Sequence, residues 1–162
     1  VPPGERCHLE SGATWRAVPP GERCHLESGA TKNPYSRCVY EITVEDEFCA
    51  AHAITIRGER EPLHGHNWRV SVTVTGEQLD GDSLLLDFHA LQAIVRRVLA
   101  PFHNRDLNAT DPFNRINPTA ELIAQHIAER VGSGLQSLNQ GGLRVAAVRV
   151  TEAPGCSVVY RP

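Results

Sequence analysis

Three histidines lie close together in the sequence, at a spacing that suits a metal ion. His64 and His66 flank Gly65, and His52 lies twelve residues before His64. Side chains of a β-strand alternate between faces, so an i, i+2 pair presents both imidazoles on one face. Gly65 leaves room for a metal and a substrate near the backbone. A third imidazole from a neighbouring strand would leave the fourth zinc position open, as in catalytic zinc sites. The alternative is a polar strand end with solvated histidines.

The composition is that of a globular chain of 162 residues, 41% hydrophobic and 22% charged, long enough for one domain with a sizeable core. The net charge of −3 and the pI near 6.2 give no reason to expect a nucleic acid or an anionic membrane as a partner. No apolar run approaches the roughly 18 residues of a membrane span, and no segment resembles a signal peptide. The five cysteines form no CxxC pair, so a reducing cytoplasm is expected.

A duplication occupies the first part of the chain. The segment VPPGERCHLESGAT occurs at 1–14 and again, unchanged, at 18–31. Each copy holds a Cys-His dipeptide, but this dipeptide lacks the ligand spacing of known zinc modules. A recent duplication, an expression scar or a loosely ordered arm explains the repeat better than a second metal site. We therefore interpret 1–37 as an arm outside the core and 38–162 as the functional domain.

The histidines are expected on a sheet. Alternating β-branched residues predict a strand from 38 to 44 that continues toward His52, and a second strand over 68–75 with the HGH sequence at its start. Gly58 and Pro62 predict a loop between these strands. Two further strands, 143–151 and 156–160, flank a turn at 153–155.

Two helices separate the two pairs of strands. Asp87 is a good N-cap for a helix over 88–100 that Pro101 ends. The sequence Asn117-Pro118-Thr119 starts a second helix, which Gly132 and Gly134 are predicted to close. The order ββααββ predicts an α+β fold, with an antiparallel sheet covered by two helices on one face. The open sheet edges are expected to pair with other subunits into a barrel.

Several short motifs, in order over residues 39–161, resemble one family closely, the 6-pyruvoyltetrahydropterin and 6-carboxytetrahydropterin synthases. The matching pieces are Phe48-x-Ala50-Ala51-His52, Leu63-His64-Gly65-His66-Asn67, Leu86-Asp87-Phe88-x-x-Leu91, Leu107-Asn108, Asn117-Pro118-Thr119-Ala120-Glu121, Val150-Thr151-Glu152 and Tyr160. The resemblance implies the tunnelling fold, in which trimers close a twelve-stranded barrel, two trimers stack into a hexamer, and active sites lie between subunits. It also implies zinc bound by His52, His64 and His66, and a pterin ring held by Glu152.

The predicted anchor for the pterin has a physical basis. A pterin presents an amino group and a ring N–H side by side, and one carboxylate can accept both hydrogen bonds. The alternative for Glu152 is a solvated glutamate at a strand end. Thr119 and Glu121 match a second family position near the ring. They also suit a helix N-terminus, where an acidic residue in the first turn is favoured in any case.

The chain departs from the family pattern at two positions. Many members have a cysteine as general base where this chain has Arg60, but one branch has glutamate in the Glu-Pro-Leu-His-Gly-His context, and Glu61 is therefore the candidate base here. Its alternative is an exposed loop residue. An Asp-His pair of the family is replaced by His103-Asn104, and His103 is the candidate acid, with Asp106 as a possible partner.

These residues favour a zinc-dependent lyase that acts on the side chain of 7,8-dihydroneopterin triphosphate or a close relative. The product could be a 6-carboxy, 6-pyruvoyl or 6-hydroxymethyl pterin. A non-catalytic zinc- and pterin-binding homologue is the alternative, and a cyclohydrolase-like enzyme that opens a purine ring is a third hypothesis. Cys49 is expected to be buried, facing away from His52, and His89 and His126 are expected on helix surfaces.

Overall fold

The computed structural model describes residues 39–138 and 141–162, so the predicted arm lies outside the described residues. The regular elements, in chain order, are β1 (Tyr40–His52), β2 (Thr55–Ile56), β3 (Glu59–Arg60), β4 (His64–Gly76), α1 (Phe88–Leu99), β5 (Arg105–Asp106), α2 (Ala120–Gln136), β6 (Arg144–Ala153) and β7 (Cys156–Tyr160). Short 3-10 turns at Ala100–Phe102 and Leu107–Ala109 flank β5. The predicted order of two strands, two helices and two strands is confirmed for the long elements.

One sheet with the strand order β5-β1-β4-β6-β7 carries the fold. The four long strands are antiparallel neighbours, as predicted, and α1 and α2 pack on this sheet and on each other. The short strand β5 was not predicted. It runs parallel to β1 beside Ala50 and Ala51, after Asn104 turns the chain at a φ of +56° and donates its N–H to the Cys49 carbonyl at 2.7 Å. The predicted α+β class is confirmed.

The core lies between the sheet and the helices because alternate residues of the two central strands are apolar. In β4 the side chains of Trp68, Val70, Val72 and Val74 are at most 1% exposed, while the intervening positions are more open. Phe48 of β1 stacks on Trp68 with ring centroids 6.0 Å apart. Full burial stabilises each such apolar side chain by about 1.5–3 kcal/mol. The strands that hold the histidines are therefore firmly anchored.

The first helix begins and ends where the sequence predicts. The Asp87 carboxylate accepts a hydrogen bond from the backbone N–H of His89, which caps one of the free amides at the helix start. One face, with Leu91, Ile94, Val95 and Leu99, is buried. Pro101 then lies in the 3-10 turn that follows.

The second helix begins as predicted at the Thr119 cap but ends later than predicted. Gly132 and Gly134 lie inside α2, which continues to Gln136. A Cβ atom added at Gly134 would lie only 2.6 Å from Cγ2 of Ile94 in α1. The glycine therefore serves close packing of the two helices and does not terminate the second one.

The predicted loop between the first two strands contains a small hairpin. Its strands β2 and β3 are joined by Arg57 and Gly58, which both have positive φ, +52° and +87°. Positive φ at both central residues is typical of the tight turns that suit β-hairpins. Within residues 39–138 and 141–162, no helix combines the length and the apolar character that a membrane crossing requires.

Candidate metal centre

The register of β1 and β4 brings the three predicted histidines together. His52 lies directly opposite His64, and Ala50 lies opposite His66. Directly paired residues of an antiparallel sheet have Cβ atoms only about 4.5–5.5 Å apart. The ring centroids are accordingly 4.7 Å apart for His52 and His64, 4.9 Å for His64 and His66, and 5.3 Å for His52 and His66.

A carboxylate from the end of β6 joins the three rings. Glu152 Oε1 lies 2.9 Å from Nε2 of His52 and 3.5 Å from Nε2 of His66. Ligand atoms of His52, His64, His66 and Glu152 all lie within 4.8 Å of one another. The four residues therefore form a group that could hold a metal ion, in which imidazole nitrogens and a carboxylate oxygen are the donors.

Backbone carbonyls determine which nitrogen of two of these rings carries the proton. Nδ1 of His52 lies 2.8 Å from the Pro118 carbonyl, and Nδ1 of His64 lies 2.8 Å from the Pro62 carbonyl. A carbonyl can only accept a hydrogen bond, so Nδ1 is the donor in both rings. In the neutral rings, Nε2 is then left with a free lone pair, and this is the state that a metal ligand requires.

The Nε2 atoms of His52 and His66 are a direct test of whether the group fits a metal. Both atoms are buried, and neither makes a hydrogen bond to any part of the chain that the structure describes. Glu152 Oε1 approaches His52 Nε2 to 2.9 Å, but without the geometry of a hydrogen bond. An unprotonated nitrogen that faces a carboxylate oxygen repels it unless a cation lies between them. The residues present therefore fit a divalent cation.

The protonation of His66 agrees with this role. Burial lowers the pKa of His66 below its ordinary value of 6.5, the carboxylate of Glu152 opposes this change, and the neighbouring His52 and His64 lower the pKa further. The ring is therefore neutral at pH 7, as a metal ligand must be.

A cavity of about 920 Å³ opens next to the histidines, along the ends of β1, β4 and β6. His66 and Glu152 line it, together with the backbone at Gly65. It is also lined by side chains for which the sequence predicted no role in the site: Cys49, Asn67, Arg69 and Arg105. The alternation of β4 was the available signal, since odd-numbered positions of this strand share the face that is turned away from the helices.

A second cavity, of about 500 Å³, brings the predicted substrate residues together. Thr119 and Glu121 at the start of α2 line it with Glu152. Thr119 also caps α2, because its hydroxyl accepts the Leu122 N–H. Glu152 is thus common to the metal group and to the cavity of the predicted pterin-binding residues.

The structure does not bring Glu61 and His103 into the metal group of their own chain. Glu61 is partly buried and lines a separate cavity with Arg60 and Pro62. His103 is exposed, whereas the next three residues line the cavity beside His66. Asp106, a possible partner of His103, instead accepts the N–H of Asn108. The catalytic roles of Glu61 and His103 stay predictions.

Expectations for three other residues meet different outcomes. Cys49 faces away from His52, as predicted, but the prediction that it is buried is wrong. It is exposed, because no helix covers this face of the sheet within the described chain. Its thiol donates a hydrogen bond to Asn67 at 2.8 Å. His126 is half-buried against Phe102 and Phe113, so its assignment to the helix surface is wrong. His89 is exposed, as predicted.

Two asparagines of the family motifs hold the segment that follows His52. The side chain of Asn108 accepts the N–H of Ala53 at 2.7 Å and donates to the carbonyl of the same residue at 2.9 Å. Asn117 makes the same pair of bonds with Thr55, both at 2.9 Å. Each amide thus binds one backbone N–H and one C=O, as a neighbouring strand would, and the segment after the ligand strand is held in place.

Comparisons with known proteins agree with these features. The profile of the family 6-pyruvoyl tetrahydropterin synthase matches residues 41–162. The chain belongs to this family. The 6-carboxy-5,6,7,8-tetrahydropterin synthase of Bacillus subtilis is 31% identical over 137 residues, which are 81% of this chain and 89% of the relative. The dihydroneopterin monophosphate aldolase of Pyrococcus furiosus is 40% identical over 88 residues, 54% of this chain and 71% of that protein.

A solved structure supports the fold. The 6-pyruvoyl tetrahydropterin synthase of Caenorhabditis elegans superimposes with a TM-score of 0.66 at 21% identity, over 77% of this chain and 96% of that chain. The tunnelling fold predicted from the motifs is therefore confirmed at the level of a single chain.

Proposed function

We propose that this protein is a zinc-dependent lyase that acts on the side chain of 7,8-dihydroneopterin triphosphate or a close relative. The observation that carries the proposal is the convergence of His52, His64, His66 and Glu152, with buried ring nitrogens that lack hydrogen bonds. The relatives in Bacillus subtilis and Pyrococcus furiosus support the substrate class, since both are named for reactions of reduced pterins.

The chain supplies groups for each task of such a reaction. His52, His64 and His66 would hold the metal, and zinc, when bound, stabilises negative charge that develops on substrate oxygens. Glu152 accepts hydrogen bonds from the pterin ring. Thr119 and Glu121, which line the same cavity, also bind the ring and position it.

Proton transfer is assigned to the two remaining candidates. Glu61 removes the proton of a side-chain hydroxyl as the adjacent carbon–carbon bond breaks, and the electron pair of that bond passes to the reduced pterin ring. His103 returns a proton to the side-chain carbon that stays attached to the ring, and the other fragment leaves as an aldehyde.

We infer that other subunits complete this site. In a single chain Glu61 and His103 lie outside the metal group, although the mechanism needs both near the substrate. The fold leaves edges for assembly, since β5 covers β1 only beside Ala50 and Ala51. A homohexamer built from two trimers accounts for both features, and light scattering on the purified protein should give the mass of six chains. A stable monomer with full activity would contradict this assembly.

Incubation of the zinc-loaded protein with 7,8-dihydroneopterin triphosphate, and separately with the monophosphate, tests the function. The expected result is many product molecules per chain, detected by the fluorescence of the oxidised pterins after chromatography. The retention of the product distinguishes 6-carboxy, 6-pyruvoyl and 6-hydroxymethyl pterins. Failure to turn over either phosphate would reject the proposed lyase.

A non-catalytic zinc- and pterin-binding homologue is the second candidate. It is favoured by the position of Glu61, which shares a cavity with Arg60 and not with the metal group of its chain, and by the exposure of His103. This candidate requires pterin bound at one molecule per site with no product formed. The incubation described above separates the two candidates directly.

A further inference from the structure

Glu152 occupies a position that a simple anchor for the pterin ring does not explain. Its side chain is 28% exposed, and its Oε1 lies 2.9 Å from Nε2 of His52 and 3.5 Å from Nε2 of His66. The same residue lines the cavity beside the metal group and the cavity that it shares with Thr119 and Glu121. Glu152 therefore separates the place of the metal from the place predicted for the ring.

The contact with His52 is a metal-type contact. Nδ1 of His52 donates to the Pro118 carbonyl, which leaves Nε2 as an acceptor in the neutral ring. Oε1 of Glu152 is also an acceptor, and the two atoms approach to 2.9 Å with no hydrogen bond between them. A divalent cation that both atoms bind removes this repulsion. It also gives the buried Nε2 of His66 a partner.

We propose that Glu152 is a fourth ligand of the metal while the substrate is absent, and that pterin binding draws its carboxylate away from the metal toward Thr119 and Glu121. The second half of this proposal rests on the proposed function. A carboxylate that accepts both the pterin amino group and the ring N–H uses both of its oxygens. Oε1 of Glu152 would then have to leave its contact at 2.9 Å from Nε2 of His52, so the two positions exclude each other.

This exchange couples recognition of the ring to exposure of the metal. Before binding, the carboxylate balances part of the metal charge and occupies a position that a solvent molecule or a wrong ligand could otherwise take. When the pterin amino group and ring N–H offer better hydrogen bonds, the carboxylate turns to them. One position at the metal then becomes free at the moment when the substrate side chain lies beside it. Ligands without the pterin pattern of donors would leave Glu152 in place.

Cobalt binding by the full-length protein tests the first half, with no need for turnover. The affinity for Co²⁺ is measured by competition with a chelator, and the visible absorption of the cobalt protein reports its ligands. Glu152→Gln should weaken the affinity at least about tenfold, because even the loss of a group behind a ligand costs about 10–100-fold, and should change the spectrum. Glu121→Gln, an acidic residue of the same cavity outside the metal group, should keep the affinity within about twofold and the spectrum unchanged.

Circular dichroism establishes that both variants are folded before the comparison is made. An affinity and a spectrum for Glu152→Gln equal to those of the wild type would overturn the proposal, whatever the turnover. The absence of cobalt binding by the wild type would overturn the proposal and the metal-dependent function together. Weaker cobalt binding in Glu152→Gln combined with no wild-type turnover would support ligation by Glu152 and reject the lyase.

Unphosphorylated 7,8-dihydroneopterin tests the second half. Its addition should change the cobalt spectrum of the wild type, because the carboxylate leaves, and should change the spectrum of Glu152→Gln much less. An unchanged wild-type spectrum, with the pterin shown to be bound by its own fluorescence, would overturn the displacement.

Discussion

Backbone carbonyls, and not acidic side chains, fix the tautomer of two of the three ligand histidines. The carbonyls of Pro118 and Pro62 each accept the Nδ1–H of one ring. The spacing of His52, His64 and His66 was sufficient to predict their convergence, because strand alternation and one antiparallel register place them together. The contact of Glu152 with the rings was not predictable from local pattern, because Glu152 lies at the end of β6, where the pairing with β7 shifts register between Thr151 and Ala153.

Replacement of Glu61 by Gln tests its assignment as the base. We expect turnover to fall at least about 100-fold, because the amide cannot accept the hydroxyl proton. The zinc content, measured by atomic emission, should not change, since Glu61 lies outside the metal group of its chain. Glu59→Gln, a substitution of an exposed residue two positions earlier, serves as the control. Wild-type turnover in Glu61→Gln would remove this residue from the mechanism.

At the scale of elements, the strands and helix starts could be predicted from local signals, while the end of α2 could not. Asp87 and Thr119 are caps that act within four residues, so the sequence itself contains the signal. Gly134 is present because of Ile94, a residue forty positions earlier, and no local pattern distinguishes such a packing glycine from a terminating one. The parallel strand β5 depends in the same way on a distant edge of β1.

Gly132 and Gly134, both inside α2, allow a test of whether Gly134 is needed for close packing against Ile94. Gly132→Ala should stabilise the protein by about 0.5–1 kcal/mol, since a Cβ there meets nothing within 4 Å and alanine favours the helix. Gly134→Ala has the same gain in propensity but crowds Ile94, so it should be less stable than Gly132→Ala by about 1–3 kcal/mol. Urea unfolding of both variants measures the difference. Equal stability would show that the helices do not need the close approach.

His126, in α2, should make the free energy of unfolding of the protein depend on pH. Burial lowers its pKa below the ordinary value of 6.5, and the charge of Arg130 lowers it further. Between the folded and the unfolded pKa the unfolded chain binds more protons, so this residue reduces the free energy of unfolding as the pH falls below about 6.5. Well above that pH the histidine is neutral in both the folded and the unfolded chain, so it does not reduce the free energy of unfolding.

Urea unfolding at pH 7.5 and pH 5.5 checks this sign. The loss of stability on acidification should be smaller in His126→Gln than in the wild type, because the neutral glutamine binds no proton. His89→Gln, which removes an exposed histidine of α1, should lose as much stability as the wild type. The same loss in all three proteins would contradict a role for His126.

At the scale of the whole molecule, the motifs identify the fold of one chain, whereas assembly depends on edges that a single sequence does not describe. The order of the motifs predicted the tunnelling fold, which the likeness to the Caenorhabditis elegans synthase supports. Within one chain, the exposed His103 and the separate cavity of Glu61 do not fit the catalytic roles proposed for these residues. A neighbouring subunit provides that explanation in the proposed hexamer.

Mixing of inactive variants tests whether sites are shared between subunits. If His103 serves the metal group of a neighbour, subunits of His52→Ala and His103→Ala that are co-expressed in equal amounts should regain about a quarter of the wild-type turnover, since one site in four combines two intact contributions. His52→Ala with His64→Ala should regain none, because both ligands belong to one chain. The absence of recovery in the first mixture would place the action of His103 within its own chain.

The hydrogen bonds of Asn108 and Asn117 connect the segment after His52 to the residues before α2. Asn108 and Asn117 tie the backbone at Ala53 and Thr55 to the stretch that leads into α2, and Pro118 in that stretch holds the ring of His52. Direct hydrogen bonds therefore connect the segment before α2 to a metal-binding imidazole. In the proposed function, the residues that bind the pterin ring and those that hold the metal would be parts of one connected network.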